Sequence, residues 1–323
     1  MGGGHAPNDI VIRTPLRKKV LVKSPASIAN LGPGFDVIAL AIEGPHDRVL
    51  AEALDEPRLI VNADNAPSGK ENSAYAVAEH MLSKYCPSCG VRISVWKGVP
   101  ISAGLGSSGA TSAAAAFALN ELFGLNLPIE ELIEAAVEGE HLVAGARHYD
   151  NVVASLLGGL VIIGKYAGLG MLRLDPPEVW FGIVVMSSAK KGKTGFARSL
   201  IPKRLGLEQH VAQTSAIASL LASIHLKDPE LFGKAVSVDY VAEPVRKAMI
   251  PLYDELKAMA LKEGALGFNI SGAGPSVFAV HTNRDEAERI ASLMVDHLSS
   301  NGVEAKPLVA RPSAKGVIIL DSN

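Results

Sequence analysis

Pro100-Ile101-Ser102-Ala103-Gly104-Leu105-Gly106-Ser107-Ser108-Gly109-Ala110-Thr111 is the stretch on which the reading of this chain turns. It sets glycines and hydroxyls directly before an alanine-rich run, residues 113–123, that reads as a helix. Backbone N–H groups at a helix start lack intrahelical acceptors and together carry about half an elementary charge. Glycines let an anion reach them without a Cβ in the way. Ser107 and Ser108 can cap that helix, bond a phosphate oxygen or ligate Mg²⁺.

Within it, Gly104-Leu105-Gly106-Ser107-Ser108-Gly109 also satisfies G-x-G-x-x-G, the dinucleotide pattern. A dinucleotide fold wants an acid roughly 20 positions on, at the end of a second strand. Here that region is Leu127-Pro128-Ile129-Glu130-Glu131, where Pro128 opens a second helix and the acids fall in its first turn. A Walker loop needs Gly-Lys-Ser/Thr, and no lysine lies between Pro100 and Asn120. An ATP-type phosphate site of another kind remains, beside the plain alternative of a small-residue helix packed closely on a sheet.

With 323 residues and 48% hydrophobic content, the chain can bury two moderate cores, so two domains are expected. The longest apolar run, residues 152–163, contains Ser155 and glycines and is too short to cross a bilayer. A net charge of -2 gives no reason to expect nucleic acid or membrane partners. Residues 1–17 read as a loose leader, since the start is polar and glycine-rich and lacks the apolar core of a secretory signal. The only cysteines, Cys86 and Cys89 in Cys-Pro-Ser-Cys, are too few for a disulfide framework or a four-ligand zinc site. A reducing cytoplasm suits them as free thiols or an incidental local pair.

A first strand is expected at residues 20–23, stopped by Ser24-Pro25 and followed by a tight turn over residues 26–35. Asn30-Leu31-Gly32-Pro33-Gly34-Phe35-Asp36 brackets a proline with glycines, which makes a rigid bend. Strands at 47–53 and 58–62, a helix at 72–85 and a strand at 91–97 lead into the glycine loop. The helix at 128–144 carries Glu134, Glu138, Glu140 and His141. Arg147-His148-Tyr149-Asp150-Asn151 then reads as a polar loop before a strand at 159–164.

After a strand at 180–186 come a basic loop at 187–194, a helix containing Arg198, and helical patterns at 208–224, 228–236 and 252–263. Residues 266–270, 277–281, 285–300, 305–309 and 316–320 alternate strand, strand, helix, strand, strand. That succession predicts an α+β sandwich forming its own domain, 176–323, divided from the first, 18–175, at Asp175-Pro176-Pro177. Ser271-Gly272-Ala273-Gly274-Pro275-Ser276 is a second glycine loop, expected to face the first across one phosphate-containing cleft.

Three separated motifs, Ser24-Pro25-Ala26-Ser27-Ile28-Ala29-Asn30-Leu31-Gly32-Pro33-Gly34-Phe35-Asp36, the 100–110 loop and the 271–276 loop, occur in an order that resembles the GHMP kinase superfamily. Residues 30–36 and His148-Tyr149-Asp150-Asn151-Val152 resemble its homoserine kinase branch, and the likeness spans nearly the whole chain after residue 18. The resemblance implies an α+β, two-domain fold. Its N-terminal domain would be ribosomal protein S5 domain 2-like, with a left-handed β-α-β unit, and its C-terminal domain a ferredoxin-like sandwich. ATP would lie in the cleft between them, with adenine near Asn72 and Lys97, phosphates along residues 100–110, and Mg²⁺ bridged by Ser108 and Glu140.

Homoserine carries an ammonium, a carboxylate and a hydroxyl. The resemblance gives Asn30 and Asp36 the amino end and Arg198 and Arg246 the carboxylate, while His148, Asn151, Thr194, Gly272 and Gly274 complete the pocket. Arginine suits a carboxylate because its planar donors reach both oxygens. Many superfamily members place an aspartate base where this branch has Asn151, so direct transfer from MgATP is implied, with Asn151 orienting the hydroxyl. Gly109 departs from the alanine common in the family and is expected to cost stability, at most about 1 kcal/mol, without touching chemistry. The implied activity is phosphorylation of L-homoserine in threonine biosynthesis by a cytoplasmic homodimer. Another small alcohol as acceptor, mevalonate or a sugar, and a catalytically silent binding module are the alternatives.

Overall fold

In a computed structural model of the protein, the structure describes residues 14–145, 147–186 and 193–323, and the side chains of Val143, Ala144, Lys193 and Thr194 lie outside that description. The chain opens with two long antiparallel strands, β1 (Lys19–Ala29) and β2 (Ile38–Leu54). Val20 and Val22 alternate inward along the first half of β1. Pro25 does not stop this strand as its sequence suggests. The register with β2 shifts between Pro25 and Ala26, a bulge that absorbs the missing N–H, and pairing continues to Ala29.

β3 (Leu59–Asp64), α1 (Ser73–Tyr85) and β4 (Gly90–Trp96) make a parallel pair joined through a helix, and β4 docks antiparallel on the second half of β2. α2 (Ser107–Leu122) and α3 (Ile129–Ala144) follow. The polar segment expected as a loop then turns into a helix at once: α4 (Asp150–Leu157) begins on its acid, which favours a helix N-terminus, and buries Val152, Val153 and Leu156. β5 (Leu160–Ile163) pairs with the start of β2, and β6 (Met171–Leu174), a short strand without a clear sequence signal, pairs with β5.

The second sheet contains β7 (Trp180–Val185), β8 (Gly267–Ile270), β9 (Val277–His281) and β10 (Lys306–Ala310) in the antiparallel order β10-β7-β9-β8. Between β7 and β8 lie α5 (Lys193–Ser199), α6 (Leu207–Leu226), α7 (Pro229–Val236), α8 (Glu243–Arg246) and α9 (Tyr253–Lys262), and α10 (Arg284–Ser300) joins β9 to β10. One face of this sheet packs Phe268 and Val277 against Leu256, Ile290 and Met294 of α9 and α10. The other face turns Phe181, Ile183 and Phe278 toward Ile28 and Leu40 of the first sheet. Phe181 and Phe278 meet edge to face at 5.5 Å within the second sheet, and their packing with Ile28 and Leu40 gives the two sheets one shared core.

The last strand, β11 (Ile318–Ser322), lies far along the chain from the strand it joins. It returns to the first sheet and pairs with β1 from Val20 to Lys23, on the edge that β2 leaves open. Cys86 and Cys89 form a local disulfide at the end of α1. Among the described residues, no helix is long and apolar enough to cross a membrane. Because β11 covers a strand edge, deleting residues 318–323 is expected to lower the midpoint of thermal unfolding by at least about 5 °C, read by circular dichroism.

Candidate functional site

The glycine loop adopts backbone angles that explain its composition. Gly104 has φ 81° and Gly106 φ 69°, and Ser102 shares the left-handed region at 56°. Gly106 sits at the N-cap of α2 without a side chain to cap it, so the first N–H groups of the helix remain for an anion. Ser107 does not cap either, because its hydroxyl donates to the Val99 carbonyl at 2.9 Å. Ala103 and Leu105 point the other way, into the shared core.

The second glycine loop is a backing for the first rather than an opposite wall. A Cβ on Gly104 would lie 2.4 Å from the Ser271 carbonyl oxygen and 2.8 Å from that of Gly274. Ser271 Oγ donates to the Gly104 carbonyl at 2.7 Å, and the Ser276 N–H to that of Ala103 at 3.3 Å. Glycine is required there by this close approach of two backbones.

Above the loop opens a cleft of about 570 Å³ whose lining includes Asn72, Lys97, Ser107, Ser108, Glu140, His148 and Asn151. Glu140 is 4% exposed, and its Oε1 has no hydrogen-bond partner among the described residues. Burial pushes its carboxyl up to about 7, against a hydrogen bond from Ser108, with the Asp150 charge adding and the Lys97 charge opposing. A buried carboxylate with a bare oxygen next to a serine hydroxyl fits a hard dication whose other positions go to phosphate and water. Asn72 spends its amide on structure: Oδ1 accepts from the Ala74 N–H at 3.0 Å and Nδ2 donates to the Pro67 carbonyl at 2.8 Å.

Lys97 is not free to reach a base. Its ammonium is buried against Asp47 and also donates to the Ser107 carbonyl and to Thr111 Oγ1, each at 2.8 Å. Asp47, fully buried in β2, accepts from the Gly98 and Val99 N–H groups, each at 3.0 Å, and from Thr111 Oγ1 at 2.7 Å. Burial pulls the Lys97 pKa down, and Asp47 opposes it. Sequence reasoning missed Asp47 because it is a lone acid in a strand whose partners Lys97 and Thr111 lie 50 and 64 residues away.

On the other side of Asn151 the charges gather. Arg198 donates to both oxygens of Asp36, at 2.9 and 2.6 Å, and its Nη1 lies 3.2 Å from His148 Nε2. Expected to serve opposite ends of a ligand, Asp36 and Arg198 therefore face each other. Arg246, 4% exposed, donates to the Gly272 carbonyl at 2.9 Å, which also accepts from Asn30 Nδ2 at 3.2 Å. Asn30 Oδ1 accepts from the Asp36 N–H at 3.2 Å, so the bend holds its own acid in place. The Phe35 ring lies between the two guanidinium groups, 5.6 Å from that of Arg198 and 5.2 Å from that of Arg246. Gly272 thus acts through its carbonyl, Gly274 supports Gly104, and the Thr194 side chain lies outside the described residues.

Asp150 belongs to this group and was missed. It is 6% exposed, and its carboxyl is raised to about 6, first by burial and then by Asp36, with Arg198 and Arg246 opposing. Its Oδ1 accepts from the Asn151 N–H at 2.8 Å. Its position on the first turn of α4, facing this cluster, had no signal within a segment that reads as loop. His148 is held below its usual pKa by burial and by Arg198, so it is neutral at pH 7.

Gly109 sits where α2 passes the start of α4. A Cβ there would lie 3.0 Å from Asn151 Cβ and 3.2 Å from the Val152 nitrogen, so glycine lets α2 approach the start of α4. An alanine would push against Asn151.

Family models describe residues 72–159 as a GHMP kinases N terminal domain and residues 217–299 as GHMP kinases C terminal. The homoserine kinase of Methanopyrus kandleri is 42% identical over 295 residues, covering 90% of this chain and 96% of that one. That of Thermoplasma volcanium is 39% identical over 271 residues, 83% of this chain and 86% of its own. The chain belongs to the homoserine kinase family of GHMP kinases. The crystal structure of homoserine kinase from Cytophaga hutchinsonii superposes with a TM-score of 0.86 at 31% identity, over 95% of this chain and 99% of that one. A mevalonate kinase from L. major shares the fold, with a TM-score of 0.71 at 16% identity over 93% of this chain and 99% of its own. Its likeness extends to architecture alone.

In this homoserine kinase-family chain, the buried Asp47–Lys97 pair supports the glycine loop. Asp47→Ala would leave an unpaired ammonium in the interior, and a loss of about 3–5 kcal/mol in unfolding free energy is expected by urea denaturation. Asp47→Asn, which keeps acceptor geometry, is expected to lose less.

Proposed function

We propose that the protein transfers the γ-phosphoryl group of MgATP to the side-chain hydroxyl of L-homoserine, giving O-phospho-L-homoserine for threonine biosynthesis. The observation that carries this reading is the division of the site on either side of Asn151. An uncapped helix N-terminus with Ser108 and Glu140 occupies one side, and a cluster of Asp36, Asp150, Arg198 and Arg246 occupies the other. The first side suits a triphosphate and the second a zwitterion. Mevalonate or a sugar would leave the buried acid of the second side unpaired, which is costly.

ATP phosphates would rest on the N–H groups that open α2, with Ser108 and Glu140 holding Mg²⁺. Bound there, Mg²⁺ supplies charge neutralisation for the phosphoryl oxygens. The homoserine carboxylate lies against Arg246, whose guanidinium has donors beyond the one given to the Gly272 carbonyl, with the Asp36-paired Arg198 adding its charge nearby. The ammonium takes Asp150 as its counterion, because Asp36 is already engaged by Arg198. Neutral His148 and Asn151 complete the wall around the hydroxyl.

Asn151 cannot accept a proton. The hydroxyl oxygen attacks the γ-phosphorus, the bond from phosphorus to the bridging oxygen breaks, and ADP leaves with that electron pair. The hydroxyl proton passes to a phosphoryl oxygen or to water. A loose transition state gains mainly from positioning and charge neutralisation, so no base is required.

Purified protein incubated with MgATP and, separately, homoserine, serine, mevalonate and galactose is expected to release ADP with homoserine in preference to the rest. Turnover with galactose or mevalonate instead would defeat the reading, and no ADP with any acceptor would leave a binding module. Glu140→Gln is expected to lower kcat by about 100-fold in saturating Mg²⁺ while the protein remains folded. Asp150 must be an anion to hold the ammonium, and its pKa near 6 sets where that is lost. In saturating MgATP, where the metal would keep Glu140 ionised, kcat/KM for homoserine is expected to fall toward about tenfold per unit as pH falls through about 6, and Asp150→Asn to remove that limb.

A further inference from the structure

Ser27 lies in β1, fully buried, beneath the turn of the glycine loop. Its N–H donates to the Leu105 carbonyl at 3.1 Å, which fastens the strand to the loop. Its hydroxyl donates to Asn151 Oδ1 at 2.9 Å, across 124 residues of sequence. A Cβ on Gly106 would lie 2.2 Å from Ser27 Oγ and 2.7 Å from Asn151 Oδ1, so the loop closes directly over this hydrogen bond and has room only as glycine.

The bond decides which end of the Asn151 amide faces the reacting atoms. With Oδ1 turned to Ser27, Nδ2 donates to Asp150 Oδ1 at 3.4 Å, on a residue that lines the cleft. In the opposite orientation Oδ1 would meet the Asp150 oxygen, acceptor against acceptor, and the buried Ser27 proton would lose its acceptor. We propose that Ser27 is a positioning residue that locks the Asn151 amide with its N–H toward the cleft, so that Asn151 acts on the transferred group or the attacking hydroxyl as a donor. An N–H bonded to one lone pair of the hydroxyl leaves another for attack and leaves its proton free to depart. The same donor directed at a phosphoryl oxygen would stabilise charge there. This inference rests on the proposed kinase reaction, since it concerns the atoms that reaction brings to Asn151.

The test compares wild type, Ser27→Ala, Ser27→Thr, Asn151→Ala and the double variant Ser27→Ala/Asn151→Ala in steady-state kinetics with MgATP and homoserine. Loss of one hydrogen bond that acts in the transition state is expected to lower kcat of Ser27→Ala by about tenfold, with both KM values within about twofold of wild type. Ser27→Thr keeps the hydroxyl and is expected to restore the rate. In the Asn151→Ala background, Ser27→Ala is expected to add nothing. A Ser27→Ala rate within about twofold of wild type, or an equal fall with and without Asn151, overturns the proposal.

An independent readout is the side-chain NH₂ pair of Asn151 in a ¹⁵N NMR spectrum, identified by its absence from Asn151→Ala. Ser27→Ala should shift that pair and speed its exchange with solvent, and an unchanged pair overturns the proposal. If wild type makes no phosphohomoserine, the kinase reading fails, while the NMR comparison still reports on the hydrogen bond.

Discussion

A buried carboxylate and a buried ammonium, Asp47 and Lys97, hold the place where β2, β4 and the start of α2 meet. Two charges taken out of water cost more than their attraction returns unless further hydrogen bonds satisfy them. Here they are satisfied by the Gly98 and Val99 N–H groups, the Ser107 carbonyl and the Thr111 hydroxyl. Each of those partners lies on the path into or out of the glycine loop. The pair therefore fixes the loop from below, and the loop can expose its N–H groups without collapsing onto its own side chains. Ser271 and Gly274 fix it from behind.

The other half of the site is built by charges that compensate one another before any ligand arrives. Asp36 and Arg198 pair, Phe35 stands between two guanidinium groups, and Arg246 leans on the Gly272 carbonyl. Asp150 is buried near Asp36, and burial first and that like charge second raise its pKa against the pull of Arg198 and Arg246. An ammonium ligand would draw it back down. Between the two halves stands Asn151, tied to Ser27 on one side and to Asp150 on the other, so it reads the geometry of both.

Much of this was legible in the residues. Strand, glycine loop and helix followed from the order of apolar runs, and Glu140 and Ser108 fall on successive helices where the motif resemblance puts them. The errors have identifiable physical causes. Pro25 reads as a stop because local sequence cannot announce a bulge, which only the partner strand defines. Asp150 and Asn151 read as part of the loop that residues 147–149 do form, because a helix that starts on polar residues looks like the end of one. That Gly109 faces α4 is likewise not announced locally, because nothing in a helical sequence says which face another helix approaches.

The sequence by itself indicated the strand, the glycine loop and the helix start, since these depend on local periodicity and glycine freedom, while the charges expected around a zwitterion came from its resemblance to a known family. Only the tertiary structure decided how those groups are shared out. It joined Lys97 to Asp47, set Arg198 against Asp36, buried Asp150 beside Asn151, and returned β11 to the first sheet. The reason is that a charge or a strand edge is satisfied by whatever lies within a few ångströms of it, and distance along the chain carries no such information.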